Sequence, residues 1–303
     1  MEEQGVFGLQ TPGVCDPVAS FNCLVSSGRG DQDFTHLVDV LPVTAQCGFN
    51  LERWHQTDLI LSRFWTPKDG IDDIFFQIDS EDINYYKSER HHLTYGEVTP
   101  LGVRQLAYEM GIAKCDDGED QTTLFDNGNI EYNNDDDDDG IVFYDLGSGV
   151  GRLVTQIYVD QPDRVIKAIG VELAEKRHNI GTNALNGIME EDLFGAGTFD
   201  GIAKYNDDIA TAQFSIKLIH GDATEVDLDS ATTHVFISSL CLPKNVLLTI
   251  QERLLHLPNI RVIAALNRLD MMHQLGGEKW HERDVPIQMS WGAGTAKLYH
   301  KVT

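Results

Sequence analysis

The segment with the clearest capacity for chemistry reads Asp-Leu-Gly-Ser-Gly-Val-Gly and runs from Asp145 to Gly151. Its glycines let the backbone turn sharply and approach a ligand closely, because a Cβ would fill that space or forbid a positive φ. The glycine spacing, with one residue between each pair, differs from the Gly-x-Gly-x-x-Gly pattern that sets a helix N-terminus against a pyrophosphate. Asp145 precedes the first glycine by two residues, and its carboxylate suits a ligand that carries an ammonium group and no phosphate.

Two further acids each follow a predicted strand. Glu172 ends the second strand, twenty-one residues after Gly151, where a carboxylate can accept hydrogen bonds from both hydroxyls of a ribose. Asp222, in the stretch His-Gly-Asp-Ala, follows another strand and can accept from an adenine amino group. Each acid taken alone fits a solvated loop residue or a helix cap better than a ligand contact. In combination with Asp145 they predict a site for S-adenosylmethionine, whose methionine, ribose and adenine parts would meet the three acids in turn.

The elements that must hold these acids alternate between strands and helices. An apolar run at 140–146 predicts a buried strand, and a helix at 152–160 leads to a second strand at 165–172, which is the spacing of a right-handed βαβ unit. The alternation continues with helices at 174–185 and 246–257, strands at 216–220, 233–238 and 261–266, and a terminal hairpin-like pair at 288–290 and 296–300. The sequence thus predicts a doubly wound, Rossmann-like α/β fold with a seven-stranded, mostly parallel sheet that binds ligands at the carboxyl ends of its strands.

The part of the chain before this sheet divides less clearly. Residues 1–93 form an N-terminal appendage of unassigned role, in which 51–64 has helical spacing and 74–78 is compatible with a strand. A domain over 94–303 begins with a helix whose first turn suits Pro100 and which stops at Gly111. An insertion at about 115–140 holds eleven acidic residues and no Lys or Arg, so we expect a solvated, disordered loop, either passive or engaging basic partners.

Composition narrows the function classes. The formal charge of −25 and the lack of any Lys/Arg cluster argue against broad nucleic-acid binding, which needs clustered cations. The five cysteines never form Cys-x-x-Cys, so the sequence indicates neither a disulfide framework nor a metal site. Because no run of eighteen apolar residues and no signal-peptide pattern occurs, we expect a soluble intracellular protein without membrane association.

A short motif upstream of the sheet adds a family resemblance. Residues 95–99, Tyr-Gly-Glu-Val-Thr, look like a Tyr-Gly-Glu-Thr loop that folds over the methyl donor in the disruptor-of-telomeric-silencing (Dot-one) family. The glycine loop at 145–151 and the stretch Gly170-Val171-Glu172 are also similar to that family, and the resemblance spans roughly 93–303. The family comprises class I S-adenosylmethionine-dependent methyltransferases that lack a SET domain and modify a lysine on the globular surface of histone H3.

The resemblance implies roles for individual residues. Donor binding falls to Tyr95, Gly96, Glu97, Thr99, Asp145, Gly147, Ser148, Gly149, Gly151, Glu172 and Asp222. The lysine channel would be lined by Tyr95, Ser239, Trp291 and Tyr299. For the two aromatic residues near the end of the chain, core packing in a terminal hairpin is the alternative. Where the family has an asparagine in the channel floor, this chain has Ser238 or Ser239.

The chemistry that this implies is N-methyl transfer to lysine by in-line displacement, with S-adenosylmethionine as the cofactor, no metal and no covalent enzyme intermediate. Glu97 is assigned to donor binding, because a carboxylate beside the channel would favour the charged form of the lysine amine. The partner would be a basic protein, histone H3 or the nucleosome, in the nucleus. The acidic charge argues against direct contact with DNA.

Two alternatives stay open. The serine in place of the family's asparagine favours a methyltransferase of a non-histone protein or a small molecule, and a cytoplasmic location is compatible with it. An alternative of another class is a catalytically silent module that keeps the fold and engages basic partners through its acidic loop. Binding of the methyl donor separates this module from both enzyme hypotheses.

Overall fold

The structure, a computed structural model, describes residues 51–65, 97–113, 140–191, 215–273, 279–290 and 292–302. Tyr95, Gly96, Trp291, the strand expected at 74–78 and all but the last residue of the acidic insertion lie outside these ranges. The helices and strands in chain order are α1 (Leu51–Phe64), α2 (Pro100–Glu109), β1 (Ile141–Leu146), α3 (Arg152–Asp160), β2 (Val165–Glu172), α4 (Glu175–Glu190), β3 (Ile216–His220), β4 (His234–Ile237), α5 (Lys244–Leu255), β5 (Val262–Ala265), β6 (Lys279–Met289) and β7 (Gly292–Val302). None of the described helices has the length and apolar character to cross a membrane.

The strands form a single seven-stranded sheet in the order β3-β2-β1-β4-β5-β7-β6. The pairs from β3 to β5 are parallel, whereas β7 runs antiparallel to both β5 and β6. Strand order reverses at β1, whose neighbours are β2 on one side and β4 on the other. The predicted Rossmann-like, mostly parallel sheet is confirmed, and its ligand-binding crevice is expected at the carboxyl end of β1.

The core lies on both faces of the sheet. All six residues of β1 are buried, as expected for a central parallel strand that helices cover on both sides. Successive side chains of a strand point to opposite faces, so Phe143 packs in the cluster that includes α2 and α3, while Val142 and Tyr144 pack in the cluster that includes α5. This two-sided burial fixes the position of β1, which carries Asp145.

Element boundaries follow the apolar runs and depart from prediction where polar residues continue an element. β2 (Val165–Glu172) and β3 (Ile216–His220) occupy the predicted ranges. The terminal hairpin is much longer than the predicted 288–290 and 296–300, because the largely polar first half of β6 also pairs in register with β7. α4 likewise continues past residue 185 to Glu190.

Helix α1, which the spacing at 51–64 predicts, packs as part of the domain and not as an appendage. Ile60, Leu61 and Trp65 are buried in one cluster with Ala184 and Ile188 of α4. Hydrophobic spacing shows that a helix has an apolar face but not which surface covers it. For that reason the sequence placed this helix outside the domain predicted to begin at residue 94.

Candidate functional site

The glycine loop between β1 and α3 turns tightly at the carboxyl end of the sheet. Gly147, Gly149 and Gly151 have φ angles of +86°, +57° and +74°, a region that residues with a Cβ rarely adopt. The N–H groups of Gly147 and Ser148 both donate to the Val171 carbonyl of β2, at 2.9 and 3.0 Å. The loop is therefore fixed over the ends of β1 and β2, beside the point where strand order reverses.

Close packing beneath the loop leaves no room for additional side chains. A Cβ at Gly170 would lie 2.7 Å from the Ser148 Oγ, and one at Gly151 would lie 2.7 Å from a Leu218 methyl group. The Ser148 carbonyl also accepts the Gly151 N–H at 2.9 Å. The backbone of Ser148 thus closes the loop, and its side chain fills the space above Gly170.

Glu172 connects the end of β2 to the glycine loop. Its carboxylate is 6% exposed and accepts the Gly149 N–H at 2.8 Å and the Ala174 N–H at 2.9 Å. The Arg177 guanidinium lies 3.8 Å from the same carboxylate. A carboxylate has about four lone-pair sites, and the acceptance of ribose hydroxyls by Glu172 stays a prediction.

Asp145 is the most unusual charged group of the site. It is 2% exposed at the end of β1, and its Oδ1 is buried without a hydrogen-bond partner among the described residues. Burial, and secondarily the negative charge of Glu172, hold the pKa of Asp145 well above its ordinary range. A carboxylate in such surroundings is strongly stabilised by an arriving cation, because burial keeps water away from it and no cation pairs with it among the described residues.

The short segment before α2 brings Glu97 to the glycine loop. This segment pairs with the end of β6 through an isolated antiparallel bridge. The Glu97 carboxylate lies 3.5 Å from Nη1 of Arg152, which begins α3 directly after Gly151. The Thr99 hydroxyl accepts the Gly102 N–H and caps α2. Glu97 therefore lies beside the predicted donor site, whereas the hydroxyl of Thr99 is engaged in the helix cap.

Asp222 follows β3 at the same edge of the sheet. The N–H of the preceding Gly221 donates to the Glu172 carbonyl at 3.0 Å, which brings this turn next to the end of β2. The Asp222 Oδ1 accepts both the backbone N–H and the hydroxyl of Thr224, each at 2.7 Å. The turn is thus positioned as the sequence suggests, with one carboxylate oxygen engaged locally, and the contact with adenine stays a prediction.

The predicted channel residues that the structure describes lie in the protein interior. Ser239, directly after β4, is 0% exposed, and its Oγ accepts the Asn267 N–H at 2.7 Å. Tyr299 is fully buried on β7, where its hydroxyl accepts the Leu269 N–H at 2.8 Å and burial raises its pKa to about 12. The alternative of core packing thus describes Tyr299 better than the lining of an open channel, because its ring and hydroxyl are both enclosed.

Two neighbouring segments border the glycine loop on the side of β4. Ser238 donates its N–H to the Leu146 carbonyl at 3.1 Å, and a Cβ at Gly147 would contact the Ser238 Cβ at 3.4 Å. Asn267, two residues after β5, donates its Nδ2 to the Ser239 carbonyl at 2.8 Å. This bond fixes the plane of the side-chain amide. The Asn267 Oδ1 has no hydrogen-bond donor among the described residues.

Sequence reasoning missed Asn267, since Ala-Leu-Asn-Arg matches no motif. The signal that was available is its place: it follows the carboxyl end of β5, the strand next to β4. Polar residues at this edge of the sheet are the first candidates for ligand contacts. A half-buried amide with one fixed N–H and one open carbonyl is suited to accept a hydrogen bond from an amine.

Comparison with known proteins gives similarity of fold. The chain matches no protein-family model and no curated protein. Solved structures of similar fold include a candidate RNA methyltransferase from Pyrococcus horikoshii, at 13% identity and a TM-score of 0.40 over 82% of this chain and 98% of that one. The precorrin-6y C5,15-methyltransferase of Geobacter metallireducens is 11% identical, with a TM-score of 0.33 over 54% and 80% of the two chains.

A third similar structure is an S-adenosylmethionine-dependent methyltransferase from Thiobacillus denitrificans in complex with S-adenosylhomocysteine. It is 18% identical, with a TM-score of 0.26 over 42% of this chain and 41% of that one. Similarity at this level concerns the fold and carries no argument about substrate. Membership of the Dot-one family is not shown by any of these comparisons.

Proposed function

We propose that this chain is an S-adenosylmethionine-dependent methyltransferase whose donor lies at the carboxyl ends of β1 and β2. The observation that carries the proposal is Asp145, a buried carboxylate beside a loop of three glycines in positive-φ conformations. One of its oxygens has no hydrogen-bond partner in the part of the chain that the structure describes. The ammonium group of the donor's methionine part would supply the missing counter-charge. The residues present therefore fit the donor.

The electrostatics of the site favour this donor over a dinucleotide. In dinucleotide sites the loop amides face a pyrophosphate. Here the Gly149 N–H is already engaged by the Glu172 carboxylate, at 2.8 Å. A pyrophosphate would also meet two buried carboxyl groups, Asp145 and Glu172, and like charges at short range repel strongly where water is excluded.

Each of these residues then has a role in binding or orienting the donor. S-adenosylmethionine supplies an electrophilic methyl group on its sulfonium when bound. Asp145 holds the ammonium end, Glu172 accepts from the ribose, and the glycines let the backbone approach. Correct positioning of two reactants can lower a barrier by about 7–11 kcal/mol, so a site that only holds and orients them is sufficient for substantial catalysis.

For the methyl acceptor we propose an amine that hydrogen-bonds to the Asn267 Oδ1. A neutral amide carbonyl accepts an N–H without favouring the protonated amine as a carboxylate would. The charge of −25 suits a basic protein acceptor, and the resemblance to the Dot-one family points to a lysine of histone H3. Ser238 or Ser239 in the place of the family's asparagine, and the lack of a basic cluster for nucleosomal DNA, favour a non-histone protein or a small molecule.

The experiment is a labelling assay with tritiated S-adenosylmethionine. The chain is incubated separately with nucleosomes, free histones, and the protein, RNA and small-molecule fractions of a lysate. We expect label in a protein or small-molecule fraction, lost in Glu172→Gln and retained in Glu175→Gln, which makes the same change at the exposed start of α4. Label in non-histone proteins and never in histones would refute the histone acceptor, and label in RNA would refute both acceptor classes. No labelling together with no donor binding would favour the silent binding module.

A further inference from the structure

Trp65, the residue after α1, reaches the glycine loop from a distant part of the sequence. Its indole Nε1–H donates to the Val150 carbonyl at 2.7 Å. Trp65 is 5% exposed and Val150 is buried, so solvent does not compete for this hydrogen bond. Val150 stands between Gly149 and Gly151, near the end of the proposed donor loop.

The peptide group between Val150 and Gly151 is held at both of its polar atoms. Trp65 binds its carbonyl oxygen, and the Gly151 N–H donates to the Ser148 carbonyl at 2.9 Å. Gly181 of α4 closes over the same carbonyl, since a Cβ at that position would lie 2.4 Å from the oxygen. The space around the carbonyl is thus filled by protein, and the indole is its one hydrogen-bond donor among the described residues.

The helix that presents Trp65 is anchored by buried charges. The side chain of Arg104 on α2 is 3% exposed and pairs with Asp58 of α1 at 2.8 Å and with Asp160 of α3 at 3.0 Å. The backbone N–H of Trp65 continues the helix by donating to the Leu61 carbonyl at 2.9 Å. Because α1 is joined to α3 in this way, the indole is held in a fixed position relative to the loop that precedes α3.

We propose that Trp65 is a positioning residue of the donor site, which orients the Val150–Gly151 peptide and thereby the flanking glycines. The inference rests on the proposed function, because the donor is what the oriented loop would receive. It gives the segment before residue 93 a role in donor binding. Loss of the indole N–H would leave the buried Val150 carbonyl without a hydrogen-bond donor. The peptide could then rotate away from its binding geometry.

The test compares Trp65→Phe with Trp280→Phe. Trp280 on β6 is also buried, but its Nε1 has no hydrogen-bond partner among the described residues, so it provides the same chemical change without loss of a bond. Calorimetry should show that S-adenosylmethionine binds about tenfold more weakly to Trp65→Phe. Trp280→Phe should bind like the unmodified protein. Hydrogen exchange of the amides at 147–151 should become faster in Trp65→Phe alone.

The outcomes separate this inference from the proposed function. Unchanged donor affinity with unchanged loop exchange in Trp65→Phe would overturn the role of Trp65. If the unmodified protein binds no donor, the proposed function fails. The hydrogen-exchange rates then still test whether the indole of Trp65 holds the loop. Should Trp65→Phe not fold, Asp58→Asn loosens α1 and keeps the indole. It should accelerate exchange at 147–151, and unchanged exchange there would contradict the proposal.

Discussion

Replacement of Asp145 by asparagine should stabilise the protein while weakening its donor site. The carboxyl group is 2% exposed, one of its oxygens has no partner among the described residues, and Glu172 adds a second negative charge nearby. In the absence of a ligand, the ionised form of Asp145 is therefore unfavourable. Asparagine keeps the size of the side chain and removes the charge.

The magnitude follows from the cost of an unsatisfied buried group, about 1–3 kcal/mol and more when it is charged. Asparagine still buries polar atoms, so we expect a net gain of about 1 kcal/mol in the free energy of unfolding at neutral pH. In a domain of this size that gain raises the melting temperature by roughly 2–4 °C. The effect should depend on pH, because the pKa of Asp145 is raised in the folded state.

The sign of that dependence is fixed by the direction of the shift. A carboxyl group with a raised folded-state pKa contributes most stability below its unfolded pKa of about 4 and loses that contribution as pH rises through the folded-state value. The difference between Asp145→Asn and the unmodified protein should therefore grow from about pH 4 upwards. By the same argument, binding of the donor ammonium favours the ionised carboxylate, so donor affinity should fall at acidic pH.

The assay is urea unfolding over a pH series, with Asp222→Asn as the control. Asp222 lies at the same edge of the sheet, but its carboxylate accepts from Thr224, so the control should not gain stability. An Asp145→Asn protein that is less stable than the unmodified one at neutral pH would refute the reasoning. A stability difference that stays constant with pH would refute it too.

Three further substitutions test other parts of the site. Gly151→Ala places a Cβ at φ +74° and against Leu218, so it should cost about 1–3 kcal/mol of stability and weaken donor binding. An unchanged midpoint of urea unfolding would show that alanine is not strained at this position. Asn267→Ala should lower the rate of methyl transfer and leave the affinity for the methyl donor unchanged. The control Asn259→Ala, at an exposed asparagine, should lower neither. Loss of donor affinity in Asn267→Ala would contradict a role of Asn267 in binding the methyl acceptor. Arg104→Ala should cost about 3–5 kcal/mol in urea unfolding, because it removes the counter-charge of the buried Asp160 and of the partly buried Asp58. A much smaller loss would show that α1 is not anchored there.

The positions of Asp145, Glu172 and the glycine loop in the fold were largely predictable because the signals for them are local. Asp145 stands next to the glycines that it accompanies, and Glu172 closes an apolar run whose end coincides with the end of β2. The order of strands and helices then places both acids at one edge of the sheet. Residue type, spacing and the ligand rule for open α/β sheets were sufficient to predict where these two acids lie.

Other parts of the site depend on contacts between distant segments, which spacing does not encode. Trp65 and Val150 are 85 positions apart, and Asn267 and Ser239 are 28 apart. Tyr299 shows the same limit, since its residue type suits a channel wall while the Leu269 N–H that occupies its hydroxyl lies on another segment. These contacts are decided by how α1, β5 and β7 pack, and tertiary packing of that kind becomes visible only in the folded chain.

The central claim is that the crevice at the ends of β1 and β2 binds S-adenosylmethionine. Calorimetric titration of the donor into the full chain tests it most directly, with the dinucleotide NAD as a competing ligand. We expect saturable one-to-one binding of the donor that Asp145→Asn and Glu172→Gln each weaken, and no binding of NAD. Absence of donor binding up to the donor's solubility limit would contradict the account. So would variants that bind the donor as tightly as the unmodified protein does.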